Sequence, residues 1–254
     1  MKKVLSPADI NNITSLCKAN NLIKYGGADN FLSDFIVNNR LRYLLNFKKI
    51  STVSFLSQPL EFGINRIIKR LIDIFFSMIF IAGILTWLTP ILAILIKADS
   101  RGPVFFLQKR NKKNGRIFTC IKFRSMIVNE EADRIQAKEN DIRITRMGKF
   151  LRKYHIDELP QFINVLLSDM SVIGPRPHMI SDNLKYENIL NHYFFRAKVK
   201  PGITGLAQVS GYSGPVTDID KMKTRVQIDN FYITHWSLKL DIAILFTMII
   251  KATN

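Results

Sequence analysis

Cysteine and histidine are scarce in this chain, and acidic side chains are outnumbered. Its two cysteines, Cys17 and Cys120, stand far apart without metal-ligand spacing. That speaks against a disulfide framework or a zinc site and favours a reducing, cytosol-facing setting. The four histidines, His155, His178, His192 and His235, show no paired ligand spacing either. Ser125 and Ser210 have no recognisable base near them in sequence, so nucleophilic serine chemistry is a poor choice. Asp and Glu number 20 against 37 Lys and Arg, for a net charge of +17. Such a balance calls for an anionic partner: nucleic acid, phospholipid headgroups or phosphorylated substrates. Residues 1–46 are polar and mixed, without an apolar core ahead of a small-residue cleavage site, so no secretory signal is expected.

What the chain does contain is one long stretch free of charge. From Ile74 to Ile96 there are 23 uncharged residues, preceded by Arg66, Lys69, Arg70 and Asp73 and followed by Lys97, Asp99 and Arg101. At about 1.5 Å per residue this run is long enough to cross a bilayer. Pro90 removes one helical hydrogen bond and crowds the preceding turn, so a bend is expected at Thr89-Pro90, with the Thr89 hydroxyl available to a freed carbonyl. Cations on both sides leave neither end marked for translocation. A helix that enters, bends and leaves by the same face fits this symmetry, and a single Pro-kinked span fits the composition. A buried soluble helix fits less well, because the run exceeds typical core-helix needs.

The expected architecture is α+β, organised around that segment. Residues 1–62 read as a short accessory region, with helical spacing over Leu32–Leu45 and a short strand over Ser51–Leu56. Residues 63–100 form an amphipathic lead, suited to a headgroup boundary, and the membrane helix. Residues 101–254 form a mixed catalytic domain. Within it Val104–Leu107 and Ile117–Ile121 read as a hairpin around Asn114-Gly115, and Asn129–Asn140 as a charged helix. Leu238–Lys251 is apolar, but Asp241 leaves it too short to span, so an interfacial or docking helix is expected.

The chemistry concentrates at Asp157-Glu158, which follow Arg152 and Lys153 and precede Pro160. Adjacent helical side chains point roughly 100° apart, so the two carboxyls cannot share one proton. With cations close by, both should stay ionised, which disfavours a general acid and leaves a nucleophile or a ligand for a hard cation. A pair that merely complements a helix N-terminus is the plain alternative. A helix starting at Pro160 would bury Phe162, Ile163, Leu166 and Leu167, and its positive end would help to hold a phosphate.

Several ordered blocks surround this pair: Lys69-Arg70-Leu71-Ile72-Asp73, Thr89-Pro90, Ser100-Arg101-Gly102-Pro103-Val104-Phe105-Phe106 with Gln108, and Lys122-Phe123-Arg124-Ser125-Met126. They continue with Leu151-Arg152, Asp157-Glu158-Leu159-Pro160-Gln161, Gly174-Pro175-Arg176-Pro177, Lys200-Pro201-Gly202-Ile203-Thr204-Gly205 and Ala207-Gln208-Val209. In this order the chain, from about Asn65 onward, resembles the bacterial sugar transferases, the monotopic phosphoglycosyl transferases that act on polyprenol phosphate. In that resemblance Lys69, Arg70 and Asp73 lead into a re-entrant membrane helix, and Thr89-Pro90 stands at its break, usually Ser-Pro. His155 stands where small hydroxyl residues are common in relatives, and Leu206 where Trp is usual. Gly211–Thr217 departs from hexose-transferring relatives at Ser213 and Pro215, which leaves the sugar open.

The resemblance implies transfer of a sugar 1-phosphate from a UDP-sugar to undecaprenyl phosphate, with release of UMP, at the start of a cell-surface glycan such as an exopolysaccharide or lipopolysaccharide. By that likeness Asp157 is the nucleophile, forming a covalent phosphosugar, and Glu158 binds Mg²⁺. Arg152 and Arg176 clamp phosphate oxygens through their forked guanidinium groups. Lys122 and Arg124 alternate with Phe123 and face either the phosphates or solvent, and Lys200 is a further anion contact. The implied setting is the phospholipid bilayer of the bacterial cytoplasmic membrane, with the catalytic domain on the cytoplasmic face. Residues 1–62 offer a place for self-association into a homo-oligomer or for partner docking. Two other classes compete: a membrane-anchored noncatalytic interaction protein and a basic nucleic-acid-binding protein. No standard nucleic-acid motif supports the second, so no nucleic-acid partner is expected.

Overall fold

In the computed structural model, residues 58–129, 137, 141–190, 192–214 and 218–253 are described. The chain divides into two units, Met1–Leu56 and Ser57–Asn254. The helix expected over 32–45, the strand over 51–56 and most of the helix expected over 129–140 lie outside the described residues.

The charge-free run lies in one helical stretch, Gly63–Asp99, long and apolar enough to cross a membrane. It consists of α1 (Gly63–Phe80), a π turn (Ile81–Leu85) and α2 (Thr86–Asp99). The irregularity expected at Thr89-Pro90 falls earlier, since Pro90 lies inside α2 and the Thr86 N–H reaches back five residues to Ile81 O. Proline at 90 has no N–H for the Thr86 carbonyl and its ring crowds that group, and a widened turn just upstream gives it room. The hydroxyl that bonds back to the backbone is that of Thr86, onto Ala82 O at 2.8 Å.

Beyond α2 the chain forms an antiparallel hairpin, β1 (Phe105–Asn111) and β2 (Ile117–Phe123), pairing Phe106 with Lys122 and Gln108 with Cys120. The expected Asn-Gly turn is there: Asn114 and Gly115 adopt φ of 61° and 71°, the left-handed conformations these residues tolerate best. Helix α3 (Arg146–Lys153) is capped by Thr145, whose Oγ1 accepts from the Gly148 N–H at 2.9 Å. A single 3₁₀ turn (Ile156–Glu158) leads to α4 (Gln161–Leu166), then β3 (Ser171–Ile173) and α5 (Ile180–Glu187). The remainder comprises β4 (Gly202–Thr204), parallel to β3, followed by α6 (Leu206–Val209), α7 (Ile219–Thr234) and α8 (Leu238–Thr253). This mixture of helices and two small sheets accords with the α+β expectation.

Helix α4 buries a different face from the one expected. Gln161, Asn164 and Val165 are buried, whereas Leu167 is exposed and Phe162, Ile163 and Leu166 are half-buried. The cause is that α4 is wedged between β2 and α1. Asn164 accepts from the Ile121 N–H at 2.9 Å and donates to Thr119 O at 2.8 Å, while Phe162 stacks on Phe80 of α1 with ring centroids 4.1 Å apart. A polar residue therefore occupies the innermost position because the sheet edge offers it a donor and an acceptor.

Both ends of the α1–α2 stretch are tied to this same body. Arg70 donates to the Val165 and Leu166 carbonyls at 2.6 and 2.8 Å, capping the C-terminal end of α4. Asp73 is buried and accepts from Ser171 Oγ and the Val172 N–H, each at 2.9 Å. Lys69 pairs at 2.7 Å with Asp241 of α8, which also accepts from Tyr232 and Trp236. At the other end Asp99 accepts from the Met147 N–H at 2.8 Å. Between them Leu85, Leu92 and Ile96 share one apolar cluster with Phe123 and Leu151, each such side chain contributing about 1.5–3 kcal/mol when fully buried. Lys69, Arg70 and Asp73 thus make protein contacts, while Ile64, Ile67 and Ile68 of the same lead are exposed. Elsewhere α1 and α2 present bare apolar side chains, among them Phe75, Ile79, Trp87 and Ile94. Helix α8 repeats the pattern, burying Leu240, Ala243 and Ile244 and exposing Phe246, Ile249 and Ile250.

Candidate active site

A cleft of about 410 Å³ opens between the hairpin, the 3₁₀ turn and the segment after β3, and Asp157, Glu158, Lys122, Arg124, Arg152 and Arg176 all line it. His155 sets the turn. Its φ of 55° is left-handed, a conformation costing a non-glycine residue roughly 1–2 kcal/mol, and it ends α3 so that the next three residues coil tightly. Leu206, at the other departure, is buried and acts as a packing residue.

The two adjacent carboxylates have opposite surroundings. Glu158 is held on both oxygens: Lys122 Nζ donates to Oε1 at 2.9 Å, and Arg176 forks onto Oε1 and Oε2 at 2.5 and 2.9 Å. Its burial alone would raise the pKa, but Arg176 and then Lys122 outweigh that and hold the carboxyl well below the usual range. Asp157 accepts no hydrogen bond among the described residues. Burial pushes its pKa up, opposed by Lys122 and reinforced by the Glu158 charge. One carboxylate is therefore tied and firmly ionised, the other bare and more basic, which is the profile of a nucleophile.

Backbone packing fixes Arg176. The Gly174 N–H donates to Thr204 O at 2.8 Å and the Gly202 N–H to Pro175 O at 2.9 Å, so the Gly174–Pro177 block is zipped onto Pro201–Gly205. A Cβ on Gly202 would lie 2.1 Å from Gly174 N, and one on Gly205 would lie 2.1 Å from Gly174 O. These two glycines are thus required by close approach. On the hairpin side Arg152 Nε donates to Ser125 Oγ at 2.8 Å.

Two of the expected substrate contacts are placed differently. Arg124 borders the cleft, but its guanidinium donates to the carbonyls of Arg101 and Ser100, the latter at 2.6 Å, closing the C-terminal end of α2. It is a helix cap and a strut between the apolar helix and β2. Lys200 does not line the cleft, and its ammonium donates to Ser168 Oγ at 2.6 Å beside a second cavity. The helix-dipole expectation also loses ground, since α4 has only six residues.

The sequence reading missed three cleft residues: Arg110, His178 and Arg225. Arg110 follows Gln108 on the same face of β1 and donates to its Oε1 and to Pro177 O. Strand periodicity applied from Lys122 across the pairing would have found it. His178 is buried against Tyr193 and Arg196, and desolvation with those nearby guanidiniums keeps it neutral. Arg225 comes from α7, donates to Gly214 O at 2.6 Å and leaves Nε without a partner, and burial lowers its pKa to about 10. Five arginines and a lysine therefore line the cleft with three carboxylates, Asp157, Glu158 and Asp182, and leave an excess of positive charge suited to a diphosphate.

No group of three His, Cys, Asp or Glu side chains converges among the described residues. Mg²⁺ keeps several waters and binds through one or two carboxylates plus substrate phosphates, a donor set that Glu158 and a bound diphosphate would make up.

The Bacterial sugar transferase family model matches residues 64–254. The chain is 46% identical over 206 residues to a UDP-glucose:undecaprenyl-phosphate glucose-1-phosphate transferase of Klebsiella pneumoniae, covering 80% of this chain and 43% of that protein. It is 44% identical over 183 residues to a UDP-N-acetylgalactosamine-undecaprenyl-phosphate N-acetylgalactosaminephosphotransferase of Aeromonas hydrophila, covering 72% and 43%. To the exopolysaccharide production protein PSS of Rhizobium leguminosarum bv. phaseoli it is 40% identical over 193 residues, covering 73% and 94%. The chain thus spans less than half the length of the first two relatives.

Proposed function

Because the chain belongs to the bacterial sugar transferases, we propose that it moves a sugar 1-phosphate from a UDP-sugar to undecaprenyl phosphate at the cytoplasmic face of the bacterial inner membrane. The observation that carries this reading is the contrast between a bare, basic Asp157 and a cation-bound Glu158 inside an arginine-lined cleft.

In the proposed reaction an Asp157 oxygen attacks the phosphorus bearing the sugar. An Asp–O–P bond forms, the P–O bond to the nucleotide breaks, and UMP leaves with the electron pair. The lipid phosphate oxygen then attacks the same phosphorus, expels Asp157 and yields the polyprenyl diphosphate sugar. Arg176 sits rigidly between Gly174-Pro175 and Pro177, where it orients the diphosphate at little entropic cost. Arg152, Arg110 and Arg225 offset its remaining charge. Glu158 would hold Mg²⁺, which would supply charge neutralisation at the departing phosphate.

The membrane helix in this reading is re-entrant and the protein monotopic. From Asp73 to Asp99 a straight helix would measure about 39 Å, yet the polar anchors at both ends belong to one body: Ser171 and Val172 at one end, Met147 at the other. A span with its ends on opposite faces of a bilayer would have to break one set. Cysteines placed at Ile64 and Ala98 should react with an impermeant reagent from the same side, and reaction from opposite sides would refute the re-entrant arrangement.

The activity test is UMP release by the detergent-extracted protein given Mg²⁺, undecaprenyl phosphate and a panel of UDP-sugars. Activity should vanish in Asp157→Asn and after chelation of the metal. Full turnover by Asp157→Asn would rule out the covalent route.

A further inference from the structure

Lys200 leads to a second cavity, of about 370 Å³, which shares no lining residue with the catalytic cleft. We propose that this cavity holds one anionic phospholipid of the surrounding bilayer, its phosphate among Arg66, Lys113 and Lys200 and its chains along α1.

Five cations and a single carboxylate, Asp73, line the cavity. Lys69 is neutralised by Asp241, Arg70 is occupied by the α4 carbonyls, and Asp73 by Ser171 and Val172. The remaining three cations form no ion pair among the described residues. They come from three separate elements, Arg66 from α1, Lys113 from the hairpin turn and Lys200 from the loop before β4, so folding gathers like charges that a bound anion would relieve. Lys200 is half-buried, and its pKa is lowered by that burial and by Arg70. The apolar wall is supplied by Ile67 and Leu71, which are 56% and 62% exposed and continuous with the bare face of α1.

A phosphate tethered to an apolar chain satisfies both walls at once, whereas a free phosphate satisfies only one. Basic side chains near a bilayer surface attract anionic lipid. Because the cavity and the cleft have separate walls, a phosphate seated here is not presented to Asp157, so the occupant is a bound lipid and not a reactant. The proposal rests on the membrane-seated reading of α1.

The test is native mass spectrometry of the full chain released from nanodiscs of phosphatidylcholine containing phosphatidylglycerol. The wild type should retain one phosphatidylglycerol, and a Lys113→Gln/Lys200→Gln variant should retain it at least tenfold less. A charge-matched Lys109→Gln/Arg116→Gln control on the exposed hairpin should behave as the wild type. Arg66→Gln, on an exposed side chain, provides a second test should the double variant fail to fold. Equal retention in variant and wild type, equal loss in the control, or retention of phosphatidylcholine in place of phosphatidylglycerol would each overturn the proposal. Displacement by glycerol 3-phosphate at the same concentration would overturn the lipid assignment in favour of a soluble anion. Failure of the chain to enter nanodiscs at all would instead refute the membrane seating.

Discussion

Neutralising the two adjacent carboxylates should change stability in opposite directions. Glu158→Gln preserves shape but turns one of two acceptor oxygens into an amide that faces a cation. Three charge-assisted hydrogen bonds converge on that carboxylate, and breaking a buried ion pair typically costs about 3–5 kcal/mol. The Lys122 and Arg176 side chains are 15% and 28% exposed, so water screens part of the loss and about 2–3 kcal/mol is expected. For a domain of this size that corresponds to a fall in Tm of roughly 4–12 °C. Asp157→Asn removes a desolvated charge that no hydrogen bond supports, so it should leave Tm unchanged or raise it, by up to about 1 kcal/mol.

The pH dependence supplies a second readout. The folded pKa of Glu158 is depressed, so its stabilisation is fully present above the usual value of 4.5 and is lost as pH falls through the lowered folded value. The deficit of Glu158→Gln should therefore shrink in acid. Asp157 is raised, so protonation favours the fold, and the advantage of Asp157→Asn should also shrink as pH falls through that raised value. Thermal unfolding of both variants in one detergent, at pH 7 and in acid, measures all of this. Destabilisation of Asp157→Asn as large as that of Glu158→Gln would mean that Asp157 is a structural anchor, and would refute the division of roles.

Lys122→Met removes the main charge that holds the Asp157 pKa down, so the acid limb of the pH–rate profile for UMP release should move to higher pH, whereas an unmoved limb would assign it to another group. Gly202→Ala places a methyl 2.1 Å from Gly174 N; the β3–β4 pair must part and carry Arg176 with it, lowering kcat/KM by at least tenfold. Arg124→Ala frees the Ser100 and Arg101 carbonyls just beyond α2 and should cost about 2–3 kcal/mol while leaving the KM for the UDP-sugar within twofold. Cys120 is buried with a raised pKa, so its peptide should resist iodoacetamide in the native protein and react only after unfolding.

The hairpin was legible because Asn114-Gly115 is a local signal: the turn residues dictate backbone conformation regardless of what the strands touch. The carboxylate pair was legible for the same kind of reason, since adjacency alone rules out a shared proton. Contacts decided the rest. Arg124 and Lys122 lie two apart on one strand face, yet one reaches Glu158 and the other the end of α2. No periodicity separates a partner of Glu158 from a helix cap when both are cationic and neighbours in sequence. The expected buried stripe of α4 was Phe162, Ile163, Leu166 and Leu167, but Asn164 is innermost because the edge of β2 offers it a donor and an acceptor. Arg225 was missed because α7 buries Arg225, Asp229 and Asn230 together, which hides the apolar stripe by which a helix is ordinarily found.

The same contacts explain why the charges flanking the apolar run carry more than membrane orientation. Arg70 caps α4 at its C-terminal end, and the N-terminal end of α4 follows directly from the turn bearing Asp157 and Glu158. Asp73 fixes β3, whose continuation is the Gly174–Pro177 segment that aims Arg176. Both halves of the candidate site, the turn bearing Asp157 and Glu158 and the loop bearing Arg176, are thus held by α1 through two adjacent helical turns. Loss of either tie should disturb both together. Asp73→Asn keeps the shape but weakens acceptance from two donors, and it should lower kcat for UMP release more than Arg124→Ala does, although both residues dock the same helical stretch, at α1 and at the end of α2. Equal effects would mean that α1 and α2 act only as an anchor and that the geometry of the cleft is set elsewhere.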